Sequence, residues 1–341
     1  SMGNNTLTWE TADQYDFGFD LGFWNGKLNM IADVYLKNTN NLLYSMPLHG
    51  TSGFTSITNN IGSMRNYGVE FSINGHMNLG KVNWTSSFNI SHNKNKLTKL
   101  LGDDLLPIGS NRALKVGEEL GAFYLFQMDG IYQYDGEVPQ PLYDLGVRAG
   151  DVKYHDVDNN GIINDSDRVL TGSSNPDFFG GWNNTFKYKG FQLDVFFTYM
   201  YGNDVYAEWA VTATRPGYRM AITEDAAKNR WTAPGSSNKY PRAVNTLCGH
   251  NSKNSTRFLE DGSFIRLRSL TFSYTFPQVM LQKIRMKGLR LHVQGDNLLL
   301  FSKYSGWDPE VSKNMDPQYF GVDLYGVPPS RSVNFGINLS F

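Results

Sequence analysis

The sequence predicts an all-β fold, an antiparallel transmembrane β-barrel, and three observations carry that prediction. The last eleven residues alternate apolar and small polar side chains without a break: Val333, Phe335, Ile337, Leu339 and Phe341 against Ser332, Asn334, Gly336, Asn338 and Ser340. A period of two marks a strand with unlike faces. Its polar face carries Ser, Asn and Gly rather than Lys or Glu, which suits a crowded wet interior behind a lipid-facing exterior. The same alternation recurs along the chain, and the connections between the alternating runs are by turns short and long.

The first run sets Tyr15, Phe17, Phe19, Leu21 and Phe23 against Gln14, Asp16, Gly18, Asp20 and Gly22, and a less regular strand follows at Leu28 to Leu36. Tyr67, Val69, Phe71 and Ile73 then alternate with Asn66, Gly68, Glu70 and Ser72, and Val82, Trp84, Phe88 and Ile90 with Asn83, Thr85, Ser87, Asn89 and Ser91. Phe178 to Tyr188, Phe191 to Tyr201, Phe264 to Phe276 and Leu289 to Leu298 continue the series, and Arg331 to Phe341 closes it, for nine strands. Phe17, Phe71, Trp84, Phe197 and Phe335 are expected on the lipid side, and Asp20, Glu70, Asn89, Asp194 and Asn334 in the lumen, because a one-residue slip would turn the polar set into hydrocarbon. Trp24, Trp84, Trp182, Tyr188, Tyr199, Tyr201 and Tyr274 fall at or near strand ends, as an aromatic girdle requires. The terminal aromatic Phe341 reads as a barrel-assembly signal. Sandwich-core packing explains any one of these strands about as well, but not nine together.

Connection lengths orient the sheet, since barrels of the bacterial outer membrane have short periplasmic turns and long outer loops. Asn25-Gly26-Lys27, Leu79-Gly80-Lys81 and Lys189-Gly190 are tight turns with the Gly that hairpins favour, and Pro277 to Gly288 is a medium turn in the same series. Residues 37–64, 92–176, 203–262 and 301–329 are the long connections, expected on the cell exterior. Nine strands do not close in the usual way, because single-chain bacterial barrels have even strand numbers. The chain therefore reads as the C-terminal part of a larger barrel, and an exported barrel whose sequence opens without a signal peptide is expected to have residues ahead of Ser1.

Composition excludes several classes. No stretch approaches the ~18 apolar residues of a membrane helix. A net charge of -1 gives no reason to expect nucleic-acid binding. The single Cys248 excludes an intrachain disulfide. Enzyme signatures are missing: the six histidines are scattered without HExxH spacing, there is no G-x-S-x-G elbow and no phosphate-binding loop, and the Asp103-Asp104 pair reads as solvated loop acids.

One motif has metal-ligand spacing. Asp156, Asp158, Asn160, Asn164 and Asp167 stand at positions 1, 3, 5, 9 and 12 of an EF-hand-like loop, with Gly161 at 6 and the Ile162 carbonyl at 7. Hard oxygen ligands select calcium. Asp in place of Glu at position 12 shortens the reach, and no helices flank the loop, so the expected role is one structural ion bracing a loop; the alternative is an Asx-rich turn without an ion. Aromatic residues crowd the same outer loops: Trp209, Tyr218, Trp231, Tyr240, Tyr304, Trp307, Tyr319, Phe320 and Tyr325. They are candidate contacts for a ligand or an external partner, or loop packing.

Further runs carry a resemblance. The most specific is Gly150 to Arg168 (GDVKYHDVDNNGIINDSDR), continuing through Asn175 to Trp182 (NPDFFGGW) into Tyr188-Lys-Gly-Phe191. Trp9-Glu10, Val116-Gly-Glu118, Asp129-Gly130-Ile-Tyr132, Arg230-Trp231, Tyr240-Pro-Arg242, Asp261 to Arg268, Asp296-Asn297-Leu298 and Asp308-Pro-Glu310 follow in order. Over nearly its whole length the chain resembles the SusC/RagA-like TonB-dependent outer-membrane transporters. That resemblance implies a 22-stranded barrel of which residues 1–341 are the C-terminal part, without the plug, the TonB-contacting segment and the first strands. It also implies a SusD-like surface lipoprotein as lid, energy delivered through the TonB complex, oligosaccharides or peptides as cargo, and no catalytic residues. A soluble secreted calcium-braced glycan-binding module and a non-transporting outer-membrane adhesin are the alternatives.

Overall fold

The computed structural model describes residues 3–102, 104–217, 220–244, 249–282, 285–315 and 319–341. Nine antiparallel strands form one sheet in sequence order: β1 Thr11–Phe23, β2 Leu28–Pro47, β3 Ser56–Leu79, β4 Val82–Leu100, β5 Phe178–Tyr188, β6 Phe191–Tyr201, β7 Phe264–Thr275, β8 Gly288–Ser302 and β9 Ser332–Ser340. The sheet is open, with β1 and β9 as its edges. Two-residue hairpins join β3 to β4 and β5 to β6, and the second places Lys189 at φ 50° and Gly190 at φ 108°, the left-handed pair that matches strand twist.

Register puts each of the two expected face sets on one side. Phe17 pairs with Val34 and Val34 with Val69; Phe71 pairs with Ile90, and Trp84 with Phe186. Phe186 pairs with Leu193, Leu193 with Phe272, Phe272 with Val293 and Val293 with Phe335. Direct cross-strand partners share a face, so Phe17, Phe71, Trp84, Phe197 and Phe335 lie together. Glu70 pairs with Ser91, Asp194 with Thr271, Thr271 with Gln294 and Gln294 with Asn334, on the opposite side. There the polar groups satisfy one another: Thr185 donates to Asp194 at 2.7 Å, and Asn334 to Asp296 at 3.1 Å. The apolar face is bare, with Phe17 73% and Phe335 83% exposed.

The structure corrects two loop boundaries. Residues 37–64 are mostly strand, leaving only 48–55 as a connection, and the next connection begins after Leu100 rather than at 92. The Asn-rich run from Lys37 to Asn41 has turn composition, but a bulge absorbs it. Asn41 sits at φ 58°, the register shifts between Thr39 and Leu42, and the Asn60 amide donates to the Asn41 carbonyl at 2.8 Å. As a result β3 runs for 24 residues, far beyond the ~9–11 a tilted strand needs to cross a bilayer. Its outer end, with those of β2 and β4, forms a wall beyond the membrane.

The described residues of the remaining long connections are folded into elements of their own. Residues 105–173 hold a four-stranded sheet in the order Arg168–Ser173, Ala122–Phe126, Arg112–Lys115, Leu105–Ile108, and a hairpin of Met128–Ile131 with Val152–Tyr154. Asp204–Tyr206 pairs with Leu259–Asp261. Phe123, Leu125, Val205, Tyr206, Phe258 and Val322 form one core drawn from three connections; Phe126, Tyr132, Leu142, Val152, Tyr154 and Ile163 contribute to a second. The outer loops thus fold as one unit seated on the strand ends, where Ile61, Leu97 and Leu100 of β3 and β4 pack against Leu114.

Candidate functional site

Four of the loop aromatics converge at the outer mouth. The short helix Glu208–Ala213 follows the strand ending at Tyr206, and its Trp209 faces the segment leaving β8. Together with Trp307, Tyr325, Asp323, Val327 and Pro328 it lines a cavity of ≈520 Å3, within the usual size of a small-molecule site. A chain of hydrogen bonds fixes the ring positions. Trp209 Nε1 donates to Tyr304 Oη at 3.0 Å, Tyr304 Oη donates to Asp323 Oδ2 at 2.7 Å, and Asp323 Oδ1 accepts from the Gly326 amide at 2.9 Å. Burial, then the Asp323 carboxylate, pushes the Tyr304 phenol well above its ordinary range, so it remains a donor. Trp307 is 79% and Tyr325 56% exposed, which leaves their faces open for stacking.

The other aromatic candidates lie elsewhere. Trp231 donates from Nε1 to Gln133 at 3.1 Å and packs on Gly150; Tyr240 is buried, with its hydroxyl on Asp225 at 2.5 Å. Tyr304 is buried too and supports the cavity from behind, while Tyr319 packs against the first core. Tyr218 falls outside the described residues, as do Cys248 and Asp103.

Sequence reasoning missed the ion pairs that place Trp307. Arg266, only 3% exposed on the lumenal side of β7, reaches both oxygens of Asp308 at 2.6 and 2.8 Å, and Arg268 reaches both oxygens of Glu310 at 2.7 and 2.9 Å. Each arginine sets one terminal nitrogen between the two oxygens of its acid, and these charge-assisted contacts pin the β8–β9 connection onto the strand directly after Trp307. The signal was present: two arginines at i and i+2 on the polar face of an apolar strand require two acids, and Asp308 and Glu310 have that spacing.

In the EF-hand-like loop, Asp156, Asp158 and Asp167 each bring an oxygen within 4.8 Å of the others, about twice a calcium–oxygen contact. The donor set therefore fits one hard cation. Partial burial raises the Asp156 carboxyl, but amide donors from Gly161 and Asn160 outweigh it and hold the group below its ordinary value. Asp167, fully buried, accepts from Val157 at 2.9 Å and from Asn164 at 2.8 Å. Asn160 Oδ1 accepts from the Ile162 amide and Asn164 Oδ1 from the Ser166 amide, both turn-closing bonds. The loop thus brings the three carboxylates together and turns the Asn carbonyls to the backbone, while Ile162 is exposed at the loop surface.

Residues 1–298 match the family described as "TonB dependent receptor-like, beta-barrel". The chain belongs to that family. It is 33% identical over its whole length to TonB-dependent receptor P3 of Formosa agariphila, of which it covers 35%, and 29% identical to TonB-dependent receptor SusC of Bacteroides thetaiotaomicron, over 99% of this chain and 32% of that one. The structure of the RagAB peptide transporter superposes on the whole chain with a TM-score of 0.84 at 26% identity, and the chain covers 36% of it. The chain thus spans about a third of the length of the relatives it matches. Family membership settles what the bare apolar face is for: it is the lipid-facing wall of an outer-membrane barrel, and the short turns are periplasmic. The relatives are receptors and transporters, not enzymes.

Proposed function

We propose that this chain is the outer-loop and wall portion of a SusC-like active importer that takes up oligosaccharides or peptides across the outer membrane. In this reading a surface lipoprotein lid closes over the outer loops and the TonB complex supplies energy through parts of the protein outside this chain. The observation that carries the proposal is the aromatic cavity of Trp209, Trp307 and Tyr325, held open by a buried hydrogen-bond chain at the mouth of a barrel wall. Rigid aromatic faces backed by satisfied polar groups stack on sugar rings or peptide side chains without first having to be ordered. Trp307→Ala with Tyr325→Ala in the intact transporter is expected to cut uptake at least tenfold while barrel insertion, read by surface labelling, stays normal. Unchanged uptake of every oligosaccharide and peptide cargo removes the cavity from the transport path.

We further propose that Asp156, Asp158 and Asp167 hold one calcium ion as a brace for the outer loops, supported by the loop's spacing and the convergence of its carboxylates. Chelation is expected to raise amide exchange across residues 154–168 several-fold in the wild type and not in Asp156→Asn/Asp158→Asn. Equal exchange with and without calcium makes the loop an Asx turn alone.

A further inference from the structure

Arg112 opens the inner strand of the loop sheet and is 8% exposed. One of its nitrogens, Nη2, donates to Ser174 Oγ at 3.1 Å and to the Phe320 carbonyl, and the guanidinium lies 4.8 Å above the Phe123 ring. Its Nε is buried without a hydrogen bond, and no carboxylate among the described residues neutralises it. Burial brings its pKa down to about 10, so it stays cationic at neutral pH. A buried cation without an anion is among the costliest arrangements in a protein interior.

Other buried or half-buried arginines among the described residues show the contrast. Arg266 has Asp308, and Arg242 has Asp151 at 2.9 Å. Arg257 has no acid among the described residues either, but two of its nitrogens donate, to Asn251 and Thr214, and it stacks near the rings of Tyr240 and Phe258. Arg112 instead borders an apolar cavity of ≈410 Å3 walled by Leu42, Leu43, Ile61, Leu114, Leu120 and Phe320. Leu42 and Leu43 lie more than a dozen residues beyond the periplasmic end of β2, past the length needed to cross the bilayer, so the cavity is outside the membrane. A greasy concavity with one uncompensated cation at its wall has the charge and shape of an amphiphilic anion's complement.

We propose that this cavity binds an organic anion whose carboxylate pairs with Arg112 and whose apolar body fills the space between Leu43, Ile61 and Leu120. The carboxylate accepts from the guanidinium while the apolar body leaves water, the two terms that a neutral or a cationic analogue cannot both supply. A fatty acid and the C-terminal residue of a peptide with an apolar side chain share this chemistry. The site is separate from the Trp209 cavity and does not depend on what that cavity carries. Arg112 also clamps Ser174 to Phe320, and a clamp alone predicts loosened loops without any preference among ligands.

Calorimetric titration of the intact receptor in detergent-free nanodiscs tests the proposal, with octanoate, octan-1-ol and octylammonium as probes. Octanoate is expected to bind at least tenfold more tightly than the other two. Arg112→Met should abolish that preference, and Leu43→Trp, at a position 44% exposed, should weaken every probe while keeping the Arg112 clamp intact. The tripeptide Ala-Ala-Leu and its C-terminal amide identify the source: preference for the free acid with no octanoate binding marks a peptide terminus, and the reverse marks a fatty acid, either one sustaining the shared chemistry. Equal binding of octanoate and octanol, no binding of either octanoate or the free-acid tripeptide, or an unchanged preference in Arg112→Met overturns it. So does a tenfold gain in octanoate affinity from Asp103→Asn or Asp316→Asn, acids outside the described residues, since that shows an internal carboxylate already serving Arg112.

Discussion

The nine-stranded sheet and the outer-loop unit are built from one chain by opposite rules. On the apolar face of the sheet Phe17, Val34, Trp182, Phe272 and Phe335 are exposed, while the loop unit buries Phe123, Leu125, Val205, Tyr206, Phe258 and Val322 almost completely. The sheet is held by its backbone ladder and completed by lipid, so its apolar residues face outward. The loops stand in water and must bury their apolar side chains against one another, as a soluble domain does. One consequence is a separation of failures: damage to the loop cores should spare insertion, and damage to the lipid face should spare the loops' own packing.

The largest effect is expected from Phe258→Ala. Phe258 is 1% exposed and lies edge-on to Tyr206 at 6.2 Å in the core that joins the three connections. Its truncation is expected to cost the loop unit about 3–5 kcal/mol. Limited proteolysis of whole cells should then cut residues 203–262, while the barrel keeps its heat-modifiable migration in gels. Loss of the folded barrel in this variant would show that sheet and loops form one cooperative unit.

A smaller effect should separate two adjacent residues of β9. Phe335→Arg places a charge on the lipid face and is expected to cost up to about 2–4 kcal/mol, depending on depth, in barrel folding into liposomes. Asn334→Arg, one position earlier, faces Asp296 and the lumen and should cost much less. Equal costs would mean that the two faces are not distinguished by lipid.

The sheet was legible because its signal is local and repeated: alternation names the strand, its face and, through the turns, its direction. The Asn-rich run from Lys37 to Asn41 was misread as loop because a bulge keeps a ladder going through turn-like residues, and no local pattern announces a bulge. Inside the connections the balance reversed. The convergence of Asp156, Asp158 and Asp167 could be read from spacing alone. The pairing of Trp209 with Tyr304 and Asp323, separated by about a hundred residues, could not. Aromatic content marked the loops that line the cavity, but which rings are open, like Trp307, and which are buried supports, like Tyr240, depends on tertiary contacts that have no periodicity.

The smallest effect expected is one of pH, confined to the loop unit. His250 is buried; Nε2 lies 2.7 Å from the Val152 carbonyl, and the Tyr154 hydroxyl donates to the His250 carbonyl at 2.8 Å, joining the 202–263 connection to the hairpin of the preceding one. Burial lowers its pKa from 6.5; the Val152 carbonyl and Asp151 oppose that shift and Lys253 adds to it. Because the depressed value belongs to the folded loop, the opened loop binds the proton more tightly. Above pH 6.5 His250 is neutral in both states and costs nothing; as pH falls from 6.5 through the folded value, protonation favours opening and stability is lost. Asp156, Asp225 and Asp261 are all held below the ordinary carboxylate value of 3.8, so their contributions fade only under stronger acid and do not confuse this window. Hydrogen exchange at pH 7.5, 6.5 and 5.5, corrected for intrinsic rates, should show residues 150–155 and 249–258 losing protection toward acid while β5 and β6 do not. His250→Gln should flatten that slope. A slope that persists in the variant would transfer the effect to another group and leave His250 a packing residue only.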